Sequence, residues 1–264
     1  MQKVHDFLGE QIAYAIQGKG RTIVLIHGFL GSKTLWSPLR KKLKEKFRVI
    51  SIDLPGHGES NSIGYVHTME IMADLINSIL SAYKIRKAVL VGHSLGGYVC
   101  LAYAEKYPDK LHGLIMINST ANSDSTERIS SRNQLINLVK QNKDRAIETL
   151  IPSFFVGESL KIKRLKSKYL KEAKKCTTRG IIASIEGMKI RNEREIILKF
   201  APFPYLYIIG EQDPILDKET LISQVELGEK GFKLMLENSA HMSFLEEEEK
   251  VYKAIKQFSE KLLF

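Results

Sequence analysis

Hydrophobic and polar positions along the chain follow two alternating periods. Short apolar runs stand at "TIVLIHG" (22–28), "FRVISIDLPGHG" (47–58), "KAVLVGHS" (87–94) and "LHGLIMINST" (111–120). Helical spacing follows the first three, around Trp36 to Glu45, Met69 to Tyr83 and Tyr98 to Tyr107. Apolar runs this short read as strands buried on both faces, and the 3.6-residue spacing reads as covering helices. Weaker alternation at Val4 to Leu8 and Gln11 to Ile16 predicts an antiparallel edge hairpin. From Asn122 to Lys199 the spacing is helical with no strand signal. Strands and helices resume with "PYLYIIG" (204–210), a helix from Lys218 to Glu226, "FKLMLENSAH" (232–241) and a closing helix from Leu245 to Leu263. The pattern predicts an α/β fold in which a mostly parallel sheet carries helices on both faces. Residues 1–121 and 200–264 form its core domain, and 122–199 form an inserted helical cap.

Length and charge sharpen this outline. The chain of 264 residues suffices for one large α/β core with an insertion. Of its net charge of +10, nearly all falls in 122–199, which holds 18 Lys and Arg against 9 Asp and Glu. A basic surface can attract anionic substrates or nucleic acid. With 29 Lys to 11 Arg and no accompanying aromatic stripe, the pattern reads instead as a solvated helical face, and no nucleic-acid partner is expected. The acidic run Glu246 to Lys250 reads as the first turn of a helix. Two cysteines, Cys100 and Cys176, predict no disulfide framework and a reducing compartment. The N-terminus lacks a cationic start and apolar core, and no apolar run reaches 18 residues. We expect a cytoplasmic protein without a membrane span, a monomer or homodimer, with a small-molecule substrate.

Function in open parallel sheets gathers at the carboxyl ends of the strands, and here each such end is polar or glycine-rich. At one of them, "GHSLGG" places Ser94 between Gly92 and Gly96, where strand gives way to helix. Small residues two positions either side permit the sharp turn and leave the serine hydroxyl exposed. A serine is a weak nucleophile unless a base stands within hydrogen-bond reach and an acid orients that base. His241 lies after the last strand, and no other histidine follows "YIIG". Asp213 adjoins the end of that earlier strand, while the competing Asp217 sits at a helix start. The order Ser94, Asp213, His241 suits a nucleophile elbow. The Leu95 N–H, at the start of the following helix, is placed to donate to an oxyanion. His27, His57 and His93 read as turn or packing histidines, with His57 fixing its loop. His5, His67 and His112 read as surface or edge positions. No metal-ligand spacing and no nucleotide loop is present, so neither a metal nor a cofactor is expected.

"HGFLGS", "DLPGHGES", "GHSLGG", "GEQDP" and "SAHMSFLE" resemble, in order and spacing, the motifs of the α/β-hydrolase superfamily over essentially the whole chain. The resemblance implies an eight-stranded sheet with one antiparallel strand, a cap after the sixth strand, and the Phe29 N–H as second oxyanion donor. Serine at the elbow disfavours the relatives that open epoxides or carbon–halogen bonds with aspartate. Leu95, not an aromatic residue, after the serine disfavours haloperoxidase-like and aminopeptidase-like activities. The expected function is hydrolysis of a small-molecule carboxylic ester through an acyl-enzyme on Ser94. The alternative is a carbon–carbon hydrolase or an elimination enzyme resembling the menaquinone-pathway synthase, although that synthase has tyrosine where this chain has His93. Arg128, Arg132 and Arg145 are candidate anion contacts for it. A non-catalytic small-ligand receptor is the second alternative. Leu30, His93, Phe154, Phe155 and Tyr169 are candidate substrate-binding residues, with Phe154, Phe155 and Tyr169 as walls from the cap and Phe29, Leu30 and Leu95 on the core side.

Overall fold

The computed structural model describes residues 2–261. It opens with strands β1 (Gln2–Phe7), β2 (Glu10–Gln17) and β3 (Thr22–Ile26), followed by helix α1 (Ser37–Leu43), strand β4 (Arg48–Ile52) and helix α2 (Met69–Ala82). Strand β5 (Ala88–His93), helix α3 (Leu95–Lys106) and strand β6 (Leu111–Ile117) complete the first half. Five helices come next: α4 (Thr126–Gln141), α5 (Lys143–Leu150), α6 (Leu160–Ala173), α7 (Thr178–Lys189) and α8 (Glu195–Lys199). The chain ends through β7 (Tyr205–Gly210), α9 (Lys218–Val225), β8 (Gly231–Leu236), α10 (Ser243–Glu246) and α11 (Glu248–Lys261).

The eight strands form one sheet in the order β1-β2-β4-β3-β5-β6-β7-β8. Strand β2 runs antiparallel to both neighbours, and all other pairings beyond β1 are parallel. The β1–β2 turn has positive φ at Leu8 and Gly9, the backbone of a tight hairpin whose twist matches its strands. Strands β3 and β5 are buried along their whole lengths, as a continuous apolar run requires. Helix α2 buries one stripe, Met69, Met72, Ala73, Leu75, Ile76, Ile79 and Leu80. Each fully buried Leu or Ile of this kind contributes about 1.5–3 kcal/mol. Helix α3 is buried on every side as far as Ala104, because it lies between the sheet and α2.

The segment between β6 and β7 is tied to the sheet's loops by specific bonds. The Tyr169 hydroxyl donates to the Phe29 carbonyl (2.8 Å), Ser32 Oγ donates to Glu172 Oε2 (2.7 Å), and the His67 N–H donates to the Ala183 carbonyl (2.9 Å). Helix α8 packs on α3 and α9. Just before it, the buried Arg194 guanidinium pairs with Glu105 (2.9 Å) and Glu70.

Two expectations are corrected. His67 is fully buried, not at the surface: its ring packs against α7, with Nδ1 3.2 Å from Ser184 Oγ, and burial pushes its pKa down to about 3. The closing helix breaks at Glu247 into α10 and α11, so Glu246 is a buried residue in the single turn of α10 while Glu248 and Glu249 stand in the first turn of α11. Leu262 and Leu263, placed in that helix by the sequence pattern, lie outside the described residues. Cys100 and Cys176 are buried free thiols. Among the described residues no helix is long and apolar enough to cross a membrane.

Candidate active site

Strand β5 ends in a turn so tight that Ser94 adopts φ 50°, ψ −117°, a region that L-residues rarely occupy. The glycines make this turn possible. A Cβ on Gly92 would lie 2.4 Å from the Gly96 backbone, and one on Gly96 would lie 2.3 Å from the Ile26 carbonyl oxygen. The strained residue is held on both sides, its N–H donating to the Ile117 carbonyl (3.0 Å) and its carbonyl accepting from Ser119 Oγ (2.8 Å). Its hydroxyl is thereby presented at the edge of the sheet, at the start of α3.

Ser94 Oγ lies 3.0 Å from His241 Nε2, and His241 Nδ1 lies 2.8 Å from Asp213 Oδ2. A carboxylate accepts only, so Nδ1 carries the imidazole proton and Nε2 is left to accept from the serine. Asp213 is held in turn: Oδ2 accepts from Asn118 Nδ2 (2.9 Å), while Oδ1 accepts from the N–H groups of Ile215 (2.8 Å) and Leu216 (3.3 Å). Burial alone would raise its pKa, but the His241 imidazole and these donors hold it below the usual carboxylate range. Asp217 stands apart, accepting from the Thr220 N–H as the cap of α9. Of the two candidate carboxylates the fold brings only Asp213 to His241.

The loop bearing His241 is clamped from three directions. The His241 N–H donates to the Phe154 carbonyl (3.2 Å), and His93 Nε2 donates to the His241 carbonyl (2.8 Å). The Ala240 N–H donates to Glu246 Oε2 (2.9 Å). Burial pushes the Glu246 carboxyl up to about 7, against the opposing pull of backbone donors at Ala240 and Met242. His93 is itself buried and pushed down to about 3, chiefly by desolvation, so it packs and donates as a neutral ring. His27 and His57 likewise stay neutral, pushed down by burial to about 4 and about 3. His27 Nδ1 donates to the Gly28 carbonyl (2.7 Å) and its Nε2 accepts from the Leu54 N–H (2.9 Å), pinning two strand-end loops together.

A cavity of about 200 Å³ opens over Ser94 and His241. Phe29, Leu135, Leu150, Phe154 and Met188 form its apolar walls, with His93, Tyr98, Tyr169, Arg128 and Arg132 among the remaining lining residues. Of the residues expected around a substrate, Phe29, His93, Phe154 and Tyr169 are thus at the cavity. Leu30 and Phe155 are not: Leu30, in a left-handed backbone conformation, is buried in the core, and Phe155 packs edge-on against Tyr169 with ring centroids 6.4 Å apart. Leu95 is also buried, and only its backbone N–H, at the first position of α3, is at issue. Arg145 is exposed on α5, outside the lining.

Sequence reasoning missed Asn118 and Glu246. Asn118, with φ 44°, follows β6 directly and donates to both Asp213 and the Ala240 carbonyl (3.1 Å). Its signal was a polar residue at a strand end. Glu246 was concealed within an acidic run.

A family model described as "alpha/beta hydrolase fold" matches residues 21–248. The chain belongs to the alpha/beta hydrolase fold family. Among solved structures, this hydrolase is similar to a thermophilic esterase from Thermogutta terrifontis, at 29% identity over 99% of each chain with a TM-score of 0.92. An enol-lactonase from Burkholderia xenovorans LB400 shares the fold at 19% identity and a TM-score of 0.89, covering 97% of this chain and 99% of that one. The AB hydrolase superfamily protein YisY of Bacillus subtilis is 27% identical, covering 92% of each chain. An (E)-2-((N-methylformamido)methylene)succinate hydrolase of Acinetobacter baylyi is 24% identical, covering 94% of this hydrolase and 93% of that chain. Matches to uncharacterised mycobacterial proteins, 35% identical over 111 residues, span only about a third of those proteins' length.

Proposed function

We propose that this hydrolase cleaves a small-molecule carboxylic ester through an acyl-enzyme on Ser94. The observation that carries the reading is the unbroken chain from Ser94 Oγ to His241 Nε2 (3.0 Å) and from His241 Nδ1 to Asp213 Oδ2 (2.8 Å), opening into a cavity. In the first step Ser94 Oγ attacks the ester carbonyl as His241 Nε2 takes its proton, and the imidazolium returns that proton to the departing alkoxide. Water then attacks the acyl-enzyme with the same base, releasing the acid and restoring the serine. Asp213, kept ionised by His241 and its N–H donors, stabilises the imidazolium. The backbone N–H groups of Leu95 and Phe29 are the proposed donors to the tetrahedral oxyanion, each worth about 100- to 1,000-fold in rate. Segment 122–199 serves as the cap that supplies the outer cavity wall.

The test compares the protein with Ser94→Ala on p-nitrophenyl acetate, butyrate, octanoate and decanoate, with organophosphonate labelling in parallel. The expected result is turnover that peaks at one chain length and falls by about 10,000-fold or more in the variant. Labelling that persists in Ser94→Ala sinks the serine assignment. A second reading, carbon–carbon cleavage or elimination on the same three residues, is favoured by the arginines in the cavity. The full-length relative named for hydrolysis of a succinate compound also favours it. It moves ahead if Ser94 is labelled but no simple ester is turned over.

A further inference from the structure

The charges around the cavity are unevenly matched. No aspartate or glutamate is among its lining residues, whereas Arg128 and Arg132 both are. Arg132 is committed to Asp124 through Nε and Nη2, and Arg191, which lies over the Tyr98 ring at 4.1 Å, binds the same carboxylate through Nη1 (2.6 Å). One carboxylate with a buried side chain therefore serves two guanidiniums, the buried Arg191 and the partly buried Arg132. The remaining carboxylates nearby are occupied, Asp213 by His241 and Asn118, and Asp217 by the cap of α9. Arg128 is half-buried, and among the described residues its guanidinium has no hydrogen bond, ion pair or ring contact. It lines both the cavity over Ser94 and an adjoining polar one bounded by Thr120, Asp124 and Arg191.

Arg128 shares these cavity walls with two guanidiniums that have one carboxylate between them, and like charges in a wall partly screened from water repel one another. A bound anion relieves that repulsion. From this juxtaposition of Ser94 with an unpaired guanidinium in one cavity, we propose that the substrate carries a carboxylate at the end remote from the scissile bond, bound by Arg128. The substrate class is then the monoester of a small dicarboxylic acid or a close analogue. The planar fork of Arg128 matches a carboxylate in two parallel bonds, and the apolar walls of Leu135, Leu150 and Met188 suit the methylenes between the two carboxyl carbons. This rests on the esterase reading for its chemistry but not for its anion site.

The experiment measures kcat/KM for matched pairs differing only by the carboxylate: monomethyl succinate with methyl butyrate, monomethyl glutarate with methyl pentanoate, and monomethyl adipate with methyl hexanoate. The native enzyme is expected to prefer the acid monoester in at least one pair. Arg128→Gln should reduce that preference about 10- to 100-fold, the effect of losing a charged hydrogen-bonded contact. Arg128→Lys should recover part of it, and Arg145→Gln, an exposed charge of the same sign, should leave it in place. Equal use of both members of every pair overturns the proposal, as does a preference that survives Arg128→Gln. Calorimetric binding of monomethyl glutarate and methyl pentanoate to Ser94→Ala, with and without Arg128→Gln, reads the anion site without turnover. Tighter monoester binding lost with Arg128 supports the site even if no ester is cleaved, which would defeat only the esterase reading. Equal binding defeats the site even if neutral esters are cleaved.

Discussion

At the scale of single residues, the three side chains that the fold brings into hydrogen-bond contact, Ser94, His241 and Asp213, were legible and their supports were not. Ser94, Asp213 and His241 stand out because each chemistry-bearing type sits next to a strand end, in the order an elbow-type site uses. Asn118 shares the strand-end position but not the chemistry-bearing type, and Glu246 lacks that position, so their importance shows only in their bonds to Asp213, Ala240 and the loop of His241. Asn118 bonds both Asp213 and the loop that carries His241, so under the proposed mechanism Asn118→Ala should lower kcat about 10- to 100-fold with KM little changed, the loss of one charged hydrogen bond. Steady-state kinetics checks this, and an unchanged kcat refutes it. Glu246 yields a prediction about stability. Its folded carboxyl titrates near 7 and an unfolded one near 4.5, so between these pH values the folded state holds more proton than the unfolded. Stability from this group is therefore complete below about pH 4.5 and is lost as pH rises to about 7, a change of about 2–3 kcal/mol. Glu246→Gln removes the titration, so the variant should gain on the native protein across that window. Urea unfolding at pH 4.5 and pH 7.5 measures the difference, and a constant gap between the two proteins refutes the shift.

At the scale of elements, the apolar runs located every parallel strand: in β3 to β7 burial on both faces leaves a continuous hydrophobic signature, while the edge strand β8 is partly exposed and interrupted by Lys233. What the runs could not reveal was the break between α10 and α11. Glu246 turns inward there to meet the Ala240 N–H, and a tertiary bond of this sort overrides the helical preference of an acidic run. The β5–α3 turn shows the opposite case, in which sequence and strain agree. Ser94 occupies a conformation natural only to glycine, at a cost of about 1–3 kcal/mol. Ser94→Gly should thus unfold at a higher temperature than Ser94→Ala, both being inactive, by about 1 kcal/mol or more in stability. If alanine proves the more stable of the two, the turn is not strained. Gly96→Ala acts in reverse, since its Cβ would meet the Ile26 carbonyl at 2.3 Å, and the backbone of β3 cannot move aside without shifting the Phe29 loop.

At the scale of the whole molecule, periodicity indicated the run of helices, α4 to α8, that separates β6 from β7. The ties between loops were not legible, because they join residues whose polarity suggested exposure. Lys33 and Asp53 illustrate this. Both are almost fully buried, 2.6 Å apart, in the two loops that follow β3 and β4. Asp53 also accepts from the N–H groups of Lys33 (2.6 Å) and Glu59 (2.9 Å), so one carboxylate organises both loops. Breaking a buried pair costs about 3–5 kcal/mol, and here Glu59, whose more exposed carboxylate also lies 2.7 Å from Lys33 Nζ, keeps the lysine partly compensated. Asp53→Asn should accordingly lower the melting temperature by about 6–15 °C for a chain of this size. Replacing both partners with apolar residues should recover only part of the loss, because the two backbone N–H groups stay unsatisfied. The same loop carries Phe29, the proposed oxyanion donor, so Asp53→Asn should lower kcat more than it raises KM at temperatures where the fold survives. If the double replacement restores stability completely, Asp53 acts only as a counterion to Lys33. If stability falls with kcat untouched, the Phe29 loop keeps its position through the Tyr169 bond instead.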